Sequence, residues 1–239
     1  MTLGLAPEPP TAKAQRTREL ILLASLALFK EQGFDRASMR DIASRAGLSL
    51  GSTYYYFRSK EELVLAFYAR TQAAAWERSE AVRARTAGFA ERLRDVLLFK
   101  LEQLAEYRGF IVVLARSALE PTRPLSPFGS ETKGLRDGAI AIMARAVDGS
   151  DLRVHRDLRP HLARLLWLFQ MGVVFFWIHD ASPGQARTRR VVEASLALLG
   201  RLLPLTAARL PGVGKIVSLI AGLLDELAFW EEGVSGERA

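Results

Sequence analysis

The sequence predicts an all-α protein, on three observations. Apolar residues recur at three- and four-residue spacing in nearly every segment, no stretch alternates apolar and polar residues over the length of a strand, and glycine and proline cut the chain into helix-length pieces. The 239 residues divide into a small N-terminal bundle and a larger C-terminal one. The expected boundaries are an arm over 1–13, a first domain over 14–75, a second over 76–231 and a tail over 232–239.

The arm, with Pro7, Pro9 and Pro10, reads as mobile. From Thr17 to Gln32, residues Leu20, Ile21, Leu23, Ala24, Ala27 and Leu28 share one helical face, Phe29 extends it, and Gly33 stops the helix. Ser38 and Asp41 then make a capping box, which starts a second helix. Ile42, Ala43, Ala46 and Leu48 give it an apolar face, Gly47 offers the positive φ that ends it, and Ser49 caps the next. That third helix, beginning at Leu50, is barely two turns long. Gly51, Ser52, Thr53 and three tyrosines would not hold it by propensity, so packing must. Ser59 with Glu62 repeats the capping box and starts a fourth helix through Leu63, Phe67 and Trp76 toward Arg83–Arg85, which links the two domains.

Beyond it, helices are expected over 89–106 and 110–119, the latter stopped by Pro121 and Pro124. Others follow over 131–147, 160–179, 185–203 and 213–230. A loop runs through Pro127, DGSDLRVHRD is irregular, and DASPG is a tight turn.

Composition narrows the chemistry. Hydrophobic residues make up 49% and charged ones 25%, as in an ordinary globular protein. The absence of cysteine excludes disulfides, thiolate metal sites and cysteine nucleophiles, and three scattered histidines argue against a histidine metal site. No nucleophile–base pairing and no cofactor glycine motif occurs, so neither an enzyme nor a cofactor is expected. The net charge of +7 favours a polyanionic partner. The first residues lack the apolar stretch of a secretory signal, and the run Leu165–Ile178, interrupted by Gln170, falls short of the about 20 residues that span a bilayer. A cytoplasmic protein without a membrane span is expected.

The helix ending in LFKEQGF, followed by SMRDIASRAGLSLGSTYYYFRSKEEL, resembles the tetracycline-repressor (TetR) family of bacterial transcription regulators over residues 14 to 75. Gly33-Phe34, Ile42-Ala43, Ala46-Gly47, Gly51, Tyr54, Phe57, Lys60 and Leu63 stand where that family's pattern puts them. The resemblance implies a homodimer that sets its third helix in the major groove of a double-stranded operator. By chemistry, Arg40 can reach a guanine edge, Ser52 can donate or accept at a base, Gly51 lets the backbone approach, and Leu50 can only meet a thymine methyl or fill space. Leu50 departs from the polar residue common there. Ser49 belongs to the same contact region. The resemblance gives Tyr54 and Tyr56 hydroxyls to phosphates, lays Tyr55 along the groove and buries Phe57. Ser38 and Lys60, at helix starts, are read as phosphate contacts, with Ser38 as a cap alone and Lys60 as an exposed lysine the plainer readings, and Lys13, Arg16 and Arg18 as followers of the DNA backbone from the arm. The tyrosines admit a second reading as core with spare hydroxyls. Thr53 is assigned a structural role.

In the C-terminal domain, Pro160–His179 and Gln185–Leu203 are the expected dimer pair, with Gly172 and Gly200 permitting close approach. A ligand pocket is expected from Trp76, Phe99, Phe110, Val113, Phe128, Met143, Trp167, Gln170, Met171 and His179, although each type serves equally as core and His179 as an end-of-helix histidine. No charge lies inside the aromatic cluster, so a lipophilic or uncharged effector is expected. The last helix reads either as a cap on the bundle or as an addition to the dimer contact. The function expected is a DNA-binding regulator that a ligand releases from its operator. The alternative is an architectural DNA-binding protein without a sensor.

Overall fold

The computed structural model describes residues 11–117, 125–208 and 212–227. Among these residues it has ten α-helices, two short 3-10 turns and no strand. The helices are α1 (Ala12–Gln32), α2 (Met39–Arg45), α3 (Leu50–Tyr56), α4 (Lys60–Arg85), α5 (Phe89–Ala105), α6 (Arg108–Ser117), α7 (Lys133–Val147), α8 (Leu162–His179), α9 (Ala186–Thr206) and α10 (Val213–Leu227). The arm through residue 10, the helix end at Leu119 with its two prolines, the helix end at Trp230 and the tail over 232–239 lie outside the described residues.

α1 begins at Ala12 rather than at Thr17, because Thr11 Oγ1 accepts from Ala14 N at 3.2 Å and the exposed run that follows is rich in good helix formers. Lys13, Arg16 and Arg18 therefore ride on a helix and not on an arm. Arg18 lies 4.7 Å from the centre of the Phe57 ring, a cation–π contact that turns it inward. The second capping box is only half formed. Ser59 Oγ accepts from Glu62 N at 3.3 Å, but the Glu62 carboxylate takes the N–H of Arg58, at 2.7 Å, instead of that of Ser59.

The 26 residues of α4 make a rod about 39 Å long, enough to serve both domains. Its first turns bury Leu63, Val64 and Phe67 against α1, whose Ile21, Leu26 and Phe29 fill the same core with Ile42 and Phe57. Burying each large apolar side chain contributes about 1.5–3 kcal/mol. This packing, together with the caps, holds the two-turn α3. Farther along, α4 buries Thr71, Ala75, Ser79 and Val82 against α5 and α7. The hydroxyls of Thr71 and Ser79 are satisfied within the helix, by Tyr68 O at 3.0 Å and Trp76 O at 2.6 Å.

The C-terminal bundle is tied at its turns. Arg92, buried, donates to Thr86 O at 2.8 Å and Asp148 O at 2.9 Å, joining the α4–α5 turn to the end of α7. Asp180 accepts from the backbone and hydroxyl of both Ser182 and Thr188, at 2.7–2.9 Å, which fixes the turn between α8 and α9. Burial pushes its carboxyl up, but those four donors outweigh it and hold the group well below the usual carboxylate range.

α8 is apolar nearly all round but is not covered on every side. Trp167, Val173 and Trp177 face the core, whereas Leu168, Phe175 and Phe176 are exposed by 42%, 53% and 41%. On α9, Leu198, Leu202 and Leu205 are exposed to a similar degree. α8 and α9 thus present outward apolar side chains in the single chain. α10 buries Val217 and Ala221 and leaves Ile216, Leu219 and Leu223 exposed.

Candidate DNA-reading head and ligand cavity

The reading head is built from local signals. Ser38 Oγ accepts from Asp41 N at 3.2 Å while Ser38 N donates to Asp41 Oδ2 at 3.0 Å, so the box is closed. The Ser38 hydroxyl also donates to Asp41 Oδ2, at 2.6 Å. Both donors of Ser38 are thereby committed, and a phosphate would have to displace Asp41. Gly47, at φ 68°, ends α2 in a Schellman turn: Leu48 N bonds Ala43 O at 2.9 Å and Gly47 N bonds Ser44 O at 3.1 Å. Ser49 Oγ accepts from Ser52 N at 3.1 Å and opens α3, and buried Thr53 returns its hydroxyl to Ser49 O. A bidentate Arg45–Glu31 pair, at 2.6 and 2.9 Å, holds α2 to α1.

Along α3, Gly51 and Tyr54 are exposed and Tyr55 is 83% exposed, the most open of the large side chains there. Leu50 and Tyr56 are half-buried against the core. Phe57 is buried. Arg40 is exposed on α2, beside this face, and Arg58 is exposed just beyond it. Lys60 is already engaged: its Nζ donates to Phe34 O at 2.7 Å and Asp35 O at 3.3 Å and sits 4.5 Å from the centre of the Phe34 ring. It pins the α1–α2 turn to the start of α4, a role that only the fold reveals.

A cavity of about 380 Å³ lies in the C-terminal bundle, within the usual size of small-molecule sites. α4 contributes Tyr68 and Gln72, α5 Lys100 and Leu104, α6 Ile111 and Leu114, and the segment before α7 Phe128. Trp167, Gln170, Met171 and Ile178 of α8 also line it. Gly138 of α7 faces the Gln72 side chain of α4, which a Cβ at that position would displace.

Family comparison decides the identity. The model for the tetR family of bacterial regulatory proteins matches residues 21–67, and that for the tetracyclin repressor-like C-terminal domain matches 92–219, more than half the chain. The chain belongs to the tetR family.

Curated relatives of this tetR-family chain include the HTH-type transcriptional repressor KstR2 of Mycolicibacterium smegmatis, 42% identical over 60 residues. These are 25% of this chain and 29% of the relative. The HTH-type transcriptional repressor NicS of Pseudomonas putida is 28% identical over 107 residues, 45% of this chain and 50% of the relative. The matched segments span half or less of those relatives. FadR of Bacillus subtilis, solved with stearoyl-CoA, superposes with a TM-score of 0.58 at 19% identity over 77% of this chain and 97% of that one. Thermus thermophilus FadR, solved with lauroyl-CoA, gives 0.57 at 23% over 82% and 99%. At these identities the structural likeness establishes the fold.

Of the expected pocket residues, Phe128, Trp167, Gln170 and Met171 line the cavity of the tetR-family bundle. The other six do not. Met143 is buried in the core, and Val113 is half-buried on α6 away from the cavity. Trp76 lies under Arg145 at 4.0 Å and Phe99 under Arg78 at 5.5 Å, so these rings serve cation–π contacts. His179 is exposed at the end of α8, where Nδ1 meets Phe175 O at 2.8 Å. Phe110 joins the domains: it stacks on Phe29 at 5.0 Å and meets Phe34 at 6.1 Å and Phe67 at 6.2 Å.

Sequence reasoning missed Tyr68, Gln72, Lys100 and Arg136 as cavity residues. For Lys100 a signal existed. It occupies the register of Leu93, Val96, Leu97, Leu101 and Leu104, a cation within an otherwise apolar stripe. Both cations of the described wall, Lys100 and Arg136, lie on α5 and α7, outside the aromatic cluster of α8.

Proposed function

We propose that this tetR-family chain is a homodimeric, ligand-responsive repressor of a two-fold DNA operator, with residues 14–75 as reader and 76–231 as sensor and dimer domain. The observation that carries the reading is a shared wall. α4 supplies Tyr68 and Gln72 to the cavity and Leu63 and Phe67 to the reader's core, and α6 supplies Ile111 and Leu114 to the cavity and Phe110 to the aromatic joint on α1. A ligand that displaces either helix moves the reading head.

In this reading Arg40, Ser49, Leu50, Gly51 and Ser52 meet base edges and the adjoining backbone. Tyr54, Tyr55 and Tyr56 run along the phosphates, with Lys60 and Ser38 positioning the helices that carry them. The outward apolar residues of α8 and α9 form the seam between two copies, which sets the two α3 helices about 34–36 Å apart, one turn of DNA. The effector is an apolar, chain-like molecule, a class supported by the long acyl chains held in the FadR structures. A coupling of about 2 kcal/mol would lower operator affinity about thirtyfold. Acting on chromosomal DNA, such a protein works in the cytoplasm.

Selection of binding sites from random duplex DNA, followed by footprinting, tests the reader. A two-fold site with half-sites one helical turn apart is expected, and binding that follows charge alone, with no sequence enriched, would point instead to an architectural protein.

A further inference from the structure

We propose that Lys100 anchors the head group of the effector, which is a chain-bearing monocarboxylate: its carboxylate meets Lys100 Nζ and its tail lies along α8. The inference rests on the reading of the cavity as the effector site.

Among the described residues the cavity wall holds two cations, Lys100 and Arg136, and no carboxylate. Arg136 is tied to the segment before α7, where its Nη1 donates to Pro127 O at 3.0 Å and Gly129 O at 3.1 Å. Lys100 has no such backbone anchor. Its Nζ donates to Thr71 Oγ1 at 2.8 Å, a neutral partner whose own proton goes to Tyr68 O. An ammonium has three donors, so two remain for the cavity. Among the described residues no acid pairs with it, and burial alone pushes its pKa down to about 8. An unpaired ammonium among apolar groups is costly, and an anion that enters removes that cost.

The surroundings define which anion. Thr71, Tyr68 and Gln72 stand on the same stretch of α4 beside Lys100, whereas Leu104, Ile111, Leu114, Trp167 and Ile178 give apolar wall, with Thr132, Arg136 and Gln170 the polar groups elsewhere among the described residues. Burial pushes the Tyr68 phenol well above its usual range, so it stays protonated and is a donor to an acceptor head. One lysine with neutral donors suits a monoanion.

The test is calorimetric titration of the full-length protein with octanoate, dodecanoate and hexadecanoate, and with the alcohol, methyl ester and coenzyme A thioester of each chain. The carboxylate of the best length should bind at least tenfold more tightly than its alcohol and ester, about 1.4 kcal/mol. Lys100→Met should abolish that preference while still taking the alcohol and ester, and Lys100→Arg should keep it. Equal binding of acid and ester by the natural protein, an undiminished preference in Lys100→Met, or thioester binding tighter than the acid and indifferent to Lys100→Met would overturn the anchor and leave the cavity as an effector site. Failure of every head group and chain length to bind would overturn both.

Discussion

Replacing Lys100 with methionine should stabilise the protein without ligand. The ammonium ordinarily titrates near 10.5, and burial in the cavity wall lowers it to about 8. At 1.36 kcal/mol per pH unit, the charged lysine costs the folded state up to about 3 kcal/mol near pH 7. Methionine fills the same length without charge, and the Thr71 hydroxyl keeps its bond to Tyr68 O. The sign follows from linkage. Below about 8 both folded and unfolded chains carry the proton and the full cost is present. Between about 8 and 10.5 the unfolded chain binds more protons, so the stability of the natural protein rises with pH. Above 10.5 the cost is gone. Urea unfolding of both proteins across this range measures the difference directly, because other groups titrate alike in each. The variant should be more stable by about 2–3 kcal/mol near neutrality, with the gap closing in alkali. A variant that is less stable near neutrality, or a gap that does not change with pH, would refute a desolvated, unpaired Lys100.

Other outcomes follow from the reading head and the bundle. Arg40→Ala should cost about 1–3 kcal/mol at one base position and relax discrimination there, whereas Tyr54→Phe should weaken all duplexes alike; fluorescence anisotropy on a set of single-base operator variants separates the two, and equal losses on every duplex would remove the readout role of Arg40. Ser38→Ala should lower stability by about 1 kcal/mol through loss of the cap. Its effect should shrink in acid, since the bonds from Ser38 hold the Asp41 carboxyl below its usual 3.8 and that contribution is lost as pH falls through the lowered value. Leu198→Glu with Leu202→Glu should convert a dimer to monomers in sedimentation velocity and weaken operator binding; an unchanged dimer would show that the seam lies elsewhere.

Much of the reading head was legible because its signals are local. Ser38, Gly47 and Ser49 fix the start and end of α2 and the start of α3 through atoms within a few residues of one another. The extra turns of α1 were not legible, because an exposed helix start has no apolar period and only its cap and propensity mark it. Lys60 was read by its place at a helix start, yet its partners lie across the fold at Phe34 and Asp35. The cavity was legible only along α8 and at Phe128. Trp76 and Phe99 have the composition of a lining but meet arginines, and Phe110 and Met143 have it but fill cores. Which side of a helix meets a void depends on how its neighbours cross, and that information is not carried by one helix's pattern.

The central claim, that a ligand in the α4–α8 cavity releases the reader, is tested most directly by operator release. With the selected operator bound, dodecanoate or its best-binding homologue should dissociate the complex over the same concentration range in which calorimetry shows the cavity filling, and Lys100→Met should require at least tenfold more of it. A complex that stays intact while the ligand saturates the protein would contradict the account.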